Sequence, residues 1–156
     1  MISKTALIAF RTLVHMGTHR DNVVRSPRKI AEALGESATY LAKVTRLLVK
    51  ADILRAEKGA RGGVYLRRAP HEITLLDIVE ACQGAIAGDF CKPGCDKKMI
   101  CSYHVAAEEL RAAIVGVLSQ WTLANLMERP SSPKLAQLTG VACLMAGGQQ
   151  IPAAMR

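Results

Sequence analysis

Aromatic residues are scarce in this chain: one Trp, two Phe and three Tyr in 156 residues, or 4%. A core built almost without them has to come from Leu, Val, Ile and Ala, a mix that suits helices better than a β-sandwich. No run approaches the roughly 18 consecutive apolar residues of a membrane span. The first apolar stretch, Ala6 to Phe10, is cut by Arg11 with no small-residue cleavage site behind it, so no secretory leader is expected. Acidic residues are missing from the first twenty positions. Also missing are a paired acid and base, a nucleophile triad and a phosphate loop ending in Gly-Lys-Ser or Gly-Lys-Thr, which argues against an enzyme. Five cysteines are an odd number, unsuited to a disulfide framework. The expectation is a cytoplasmic protein with reduced thiols.

What is present is a lopsided charge. Residues 1–70 hold fourteen Lys and Arg against five Asp and Glu, a net of +9, whereas residues 71–156 hold seven against eight, a net of −1. The whole positive excess therefore lies in the first half, which is the electrostatic footprint of a nucleic-acid binder. Half of all residues are apolar, enough for one ordinary domain.

Periodicity places elements under that charge. Leu7, Phe10, Val14 and Gly17, with Ala6 and Leu13 beside them, have helical spacing over 3–18, ended by Asp21-Asn22. Ser26-Pro27 opens a second helix, with Ile30, Ala31 and Leu34 inward and Gly35 as the stop. Ser37 caps a third, with Leu41, Val44, Leu47 and Leu48 inward and Thr39, Tyr40, Lys43, Arg46 and Lys50 outward. Two short helices across a Gly-containing turn form the helix-turn-helix pattern, and the start of its second helix meets base edges. Strand-like runs Ile53–Glu57 and Val64–Arg67 flank a Gly-rich tip, a hairpin wing with Lys58 and Arg61 at its end. Basic side chains on a narrow loop suit the negative potential of a narrow minor groove. The expected DNA-facing set is Ser37, Thr39, Tyr40, Lys43, Arg46, Lys58 and Arg61.

Thr74 caps a short amphipathic helix that Gly84 ends, with Cys82 as a small apolar residue on it. A long helix follows from about Val105 to about Gln120. Leu110, Ile114, Val117 and Trp121 step along it by 4, 3 and 4, a seam period read as a homodimer interface. Thr122 caps a last short helix, Leu123 to Met127. Beyond Arg129, Pro130-Ser-Ser-Pro133 and Gly147-Gly148 mark a weakly ordered tail. The fold class is thus mainly α with a small β-wing, divided as a DNA-binding unit at 1–70, a connector, loop and dimer helix at 71–128, and the tail at 129–156.

Between the short amphipathic helix and the long helix of that second part lies Cys91-x3-Cys95-x5-Cys101-x2-His104, in a segment with no apolar period, read as a loop over about 88–104. Thiolates and an imidazole suit zinc or an iron–sulfur cluster. Lys92, Lys97 and Lys98 beside the thiols would lower their pKa, so a cofactor-free thiol–disulfide switch is a further reading.

The order of winged helix, short helix, Cys-rich segment and long helix resembles the iron–sulfur cluster regulators of bacterial transcription, the IscR-like and NsrR-like proteins. The resemblance covers about residues 1–128. It is carried by Ser37-x2-Tyr40-Leu41, by Lys58-Gly59-x2-Gly62-Gly63-x2-Leu66, by the three cysteines and by Thr122-Leu123. It implies a homodimer that binds double-stranded DNA at a near-palindromic operator, most simply as a repressor, and senses redox, nitric oxide or iron status. It also implies that Cys91, Cys95, Cys101 and His104 hold a cluster of the [2Fe–2S] kind. NsrR-like members use a carboxylate from the first helix, and the absence of Asp or Glu before Asp21 favours His104 instead. Two departures stand out. The first Cys interval is shorter than is usual in the family, and Ala42 occupies the position where operator-discriminating IscR-like members carry a Glu.

Overall fold

The computed structural model describes residues 2–18, 24–59, 62–86 and 102–128. The first helix, α1 (Lys4–Thr18), runs through the middle of the fold. The Ser3 hydroxyl opens it by accepting the Ala6 N–H at 3.2 Å. Ala6, Ala9, Phe10 and Leu13 recur at helical spacing and are buried. Ile8 and Met16 widen the buried face, and the buried Thr12 is satisfied by donating its hydroxyl to the Ile8 carbonyl at 2.8 Å. Leu7, expected on the inward stripe, is instead 37% exposed. Leu7 falls at the edge of the buried face that Ala6, Ala9, Phe10 and Leu13 form.

Helices α2 (Pro27–Leu34) and α3 (Ala38–Lys50) form the helix-turn-helix. Gly35 makes the turn in the left-handed region, φ 67°, where a Cβ would be strained. Ser26 holds the position before Pro27 as expected, but its side chain makes no cap hydrogen bond, so the proline's fixed φ carries the helix start. Leu41, Val44 and Leu48 of α3 are buried, and Leu47 is half-buried. Arg11 of α1 donates to Glu36 at 2.6 Å and to the Leu34 carbonyl at 2.9 Å, which fastens the turn to the central helix.

The wing is an antiparallel pair, β1 (Leu54–Glu57) with β2 (Gly63–Leu66), in the register Leu54 opposite Leu66 and Glu57 opposite Gly63. Arg25 and Val64 exchange both backbone hydrogen bonds at 2.9 Å, so the wing's second strand is stitched to the chain entering α2. The close approach requires Gly63, because a Cβ there would meet the Arg25 carbonyl oxygen at 2.4 Å.

Helix α4 (Leu75–Gln83) starts on a reciprocal cap between Thr74 and Asp77. Helix α5 (Ser102–Gln120) is 19 residues and about 28 Å long. It begins three residues before the expected Val105, because nothing in Ser102-Tyr103-His104 breaks a helix; His104 therefore sits in the first turn of α5 and not in a loop. Helix α6 (Leu123–Met127) is capped by Thr122 and Asn125 as expected. The α5–α6 joint is pinned to the start of α4 by Leu75 N–H on the Trp121 carbonyl, 2.9 Å, and Leu123 N–H on the Ile73 carbonyl, 2.8 Å. No described helix is long and apolar enough to cross a membrane. The wing tip at 60–61, the segment 87–101 and the tail 129–156 lie outside the described residues.

Candidate nucleic-acid interface and cysteine segment

The expected DNA-facing residues divide in the structure. Thr39, Lys43 and Arg46 are exposed on α3, and Lys58 is exposed on the hairpin. Among the described residues, none of Lys43, Arg46 and Lys58 takes part in an ion pair. Ser37 is exposed but occupied: its hydroxyl accepts the Tyr40 N–H at 3.5 Å as the cap of α3. Tyr40 turns inward, half-buried against the core, with its hydroxyl 2.8 Å from Thr5 Oγ1 on α1. Arg61 lies outside the described residues. The pattern of expected reading residues missed two exposed cations, Lys29 on α2 and Arg55 on β1; a charge on a short helix or strand carries no periodic signal of its own.

Four other arginines of this half, Arg11, Arg28, Arg67 and Arg68, pair with carboxylates of the chain itself. Arg67 pairs with Asp52, a non-glycine residue at φ 62° that closes α3. Arg68 pairs with Asp77 at 3.0 Å and joins the wing's exit to the cap of α4. Arg28 pairs with Glu32 one turn on, both well exposed. The net basicity of residues 1–70 thus overstates the charge offered to a ligand.

The metal-ligating set is divided by the limits of description. Cys91, Cys95 and Cys101 lie outside the described residues. His104 is half-buried in the first turn of α5. One turn further on, Arg111 and to a smaller degree His104 hold the exposed Glu108 carboxyl below its usual range. Cys82 lies apart on α4, half-buried against the core, where burial pushes its thiol from 9.0 up to about 11. Among the described residues no group of His, Cys, Asp and Glu is arranged to hold a metal ion.

The expected dimer seam is also divided. Leu110, Val117 and Trp121 are 63%, 58% and 50% exposed, while Ile114 is partly buried against the core. Only Leu118 of α5 is buried among the described residues. Between α4, α5 and the start of the chain lies an apolar groove of about 680 Å³, lined by Ile2, Val79, Ile86, Ile114 and Val117 among others.

A family model described as Rrf2, iron-dependent transcriptional regulator, matches residues 2–129. The chain belongs to the Rrf2 family. Protein rrf2 of Nitratidesulfovibrio vulgaris is 31% identical over 124 residues, which is 78% of this chain and 83% of that protein. The solved structure of T. potens IscR superposes with a TM-score of 0.66 at 25% identity, covering 91% of this chain and 92% of its own. CymR, the global cysteine regulator of B. subtilis, superposes with a TM-score of 0.67 at 23% identity, covering 81% and 95%. As a member of the Rrf2 family the chain is a DNA-binding transcriptional regulator and not an enzyme, with the winged helical fold expected from its sequence.

Proposed function

We propose that this Rrf2 protein is a homodimeric repressor whose operator affinity follows an iron–sulfur cluster of the [2Fe–2S] kind. The observation that carries the reading is the donor set: three cysteines within eleven residues, followed at Cys101-x2-His104 by an imidazole in the first turn of α5. Three thiolates and an imidazole fit the cluster chemically. When bound, the cluster supplies a centre that oxygen, nitric oxide or iron shortage can alter. Cys91, Cys95, Cys101 and His104 are the residues that would hold it. His104 belongs to a helix, so ligation there ties the segment between α4 and α5 to a rigid element. The same four donors could take zinc, and without a metal the lysine-flanked thiols could form a disulfide.

On the DNA side, Thr39, Lys43 and Arg46 of α3 and Lys58 and Arg61 of the wing are the contact residues of this reading, with Ser37 at the helix start. Two copies are needed because recognition helices must lie about one helical turn of DNA apart to fit a near-palindromic operator. The exposed apolar side chains Leu110 and Val117 on α5, with Trp121 directly after its end, support α5 as the dimer helix.

The test is selection of duplexes from a random pool by the anaerobically purified chain, then affinity for the best duplex before and after iron chelation. The reading predicts affinity that changes with iron in the wild type and not in Cys95→Ala. Affinity that ignores chelator but follows a dithiol reagent would replace the cluster with a thiol switch.

A further inference from the structure

The start of α1 touches both the recognition helix and the end of α4. On one side the Thr5 hydroxyl is 2.8 Å from the Tyr40 hydroxyl in the first turn of the recognition helix, thirty-five residues away in sequence. On the other side the Ser3 N–H donates to Gln83 Oε1 at 2.9 Å, in the last turn of α4. Ser3 itself is the cap of α1, its hydroxyl accepting the Ala6 N–H and its carbonyl accepting the Leu7 N–H at 3.1 Å. Ile2, one residue earlier, lines the apolar groove with Val79, Ile86 and Ile114. Three elements that are not neighbours in sequence therefore meet within one turn of helix. Gln83 lies eight residues before Cys91 in the sequence.

Each link is directional. A phenol hydroxyl hydrogen-bonded to a threonine fixes the tyrosine ring, and Tyr40 sits beside Thr39 and one turn from Lys43, so the ring's place sets where those side chains project. A glutamine amide on a backbone N–H at a helix start fixes that start relative to α4. We propose that the first turn of α1 is a positioning strap: Thr5 orients the recognition helix through Tyr40, and Gln83 orients the strap. Tyr40 is then a positioning residue that supports base readout from behind. The proposal stands on the DNA-binding role of α3 and does not depend on which metal or thiol chemistry the cysteine segment performs.

The test uses the full-length chain and the duplex it selects from a random pool, with a scrambled duplex of the same length as the non-specific probe. Thr5→Val and Tyr40→Phe each remove one hydroxyl and little volume, and Gln83→Leu removes the amide. Each single variant is expected to bind the selected duplex about fivefold more weakly, the loss of one hydrogen bond's net contribution. Binding to the scrambled duplex, which rests on phosphate contacts, stays at the wild-type level, and the melting temperature falls by no more than the few degrees that one hydrogen bond's net contribution supplies. Thr5→Val with Tyr40→Phe together is expected to be no weaker than either alone, because both break one link. A loss in Tyr40→Phe with none in Thr5→Val would show that the phenol meets DNA directly and would overturn the strap. Wild-type affinity in all three variants would overturn it as well. If the wild-type chain selects no sequence at all, the assignment of α3 as the reading helix fails, and the strap fails with it.

Discussion

At the scale of single residues, the two clearest constraints are a glycine and a cysteine. Gly63 has no room for a side chain, because a Cβ would press on the Arg25 carbonyl oxygen at 2.4 Å in a backbone that cannot yield without breaking the Arg25–Val64 pair. Gly63→Ala is expected to cost on the order of 1–3 kcal/mol in urea unfolding. Gly17 makes an instructive control. A Cβ there would meet Met127 Sδ at 2.6 Å, the far end of a flexible side chain. Gly17→Ala should stay within about 1 kcal/mol of wild type, helped by the better helix propensity of alanine. A Gly17→Ala cost as large as that of Gly63→Ala would contradict this contrast. Cys82 makes the opposite point about reactivity. With its thiol at about 11, it is only about 0.1% thiolate at pH 8, so brief alkylation followed by peptide mass mapping should leave it unlabelled in the folded chain. Its neutral form is the one favoured by folding. The stabilisation is present below the ordinary value of 9.0 and is lost as pH rises from there to about 11, where the folded thiol also ionises. Cys82→Ala should therefore flatten the alkaline limb of the stability curve between those pH values.

At the scale of elements, caps and glycines were the legible part. Thr74, Gly35, Gly84 and Thr122 each mark a boundary that the structure places within a residue of the expected one. What the pattern could not convey is where an element's side chains find partners. Tyr40 reads from sequence as an outward residue on a basic helix face, yet its ring packs inward and its hydroxyl meets Thr5, a contact between residues with no local relation. Leu7 fails in the other direction: it falls on the apolar period of α1, but at the edge of the buried face. The cysteine spacing places His104 in a loop, whereas Ser102-Tyr103-His104-Val105 is unbroken helix. Removing the cap hydroxyl with Thr74→Ala should cost about 1 kcal/mol of stability. The variant strips the Asp77 N–H of its acceptor, while the Asp77 carboxylate keeps the N–H of residue 74 at 3.1 Å and the pair with Arg68 at 3.0 Å. A variant as stable as wild type in thermal unfolding would show that the cap is redundant with that ion pair.

At the scale of the whole molecule, α5 is the element that a single copy does not satisfy. It is the longest helix described, yet Leu118 is its only buried residue among those described, and three of the four seam residues are half or more exposed. The period of 4, 3 and 4 thus marks apolar side chains that the chain's own core leaves exposed, apart from Ile114, which is already used against that core. Leu110→Asp places a charge on that face without touching the core. It is expected to convert a dimer to a monomer in sedimentation while a cooperative melting transition persists; a wild-type sedimentation coefficient would move the interface elsewhere. DNA regulation follows from the Rrf2 family and the fold together, while the proposed sensing chemistry rests on Cys91, Cys95, Cys101 and His104. The most direct measurement is therefore a joint assay of iron, acid-labile sulfide and zinc, with a visible spectrum, on one anaerobically purified sample of wild type and of Cys95→Ala. The account predicts iron and sulfide together with visible colour in the wild type, and their loss in the variant. Stoichiometric zinc, or a colourless metal-free wild type, would contradict it.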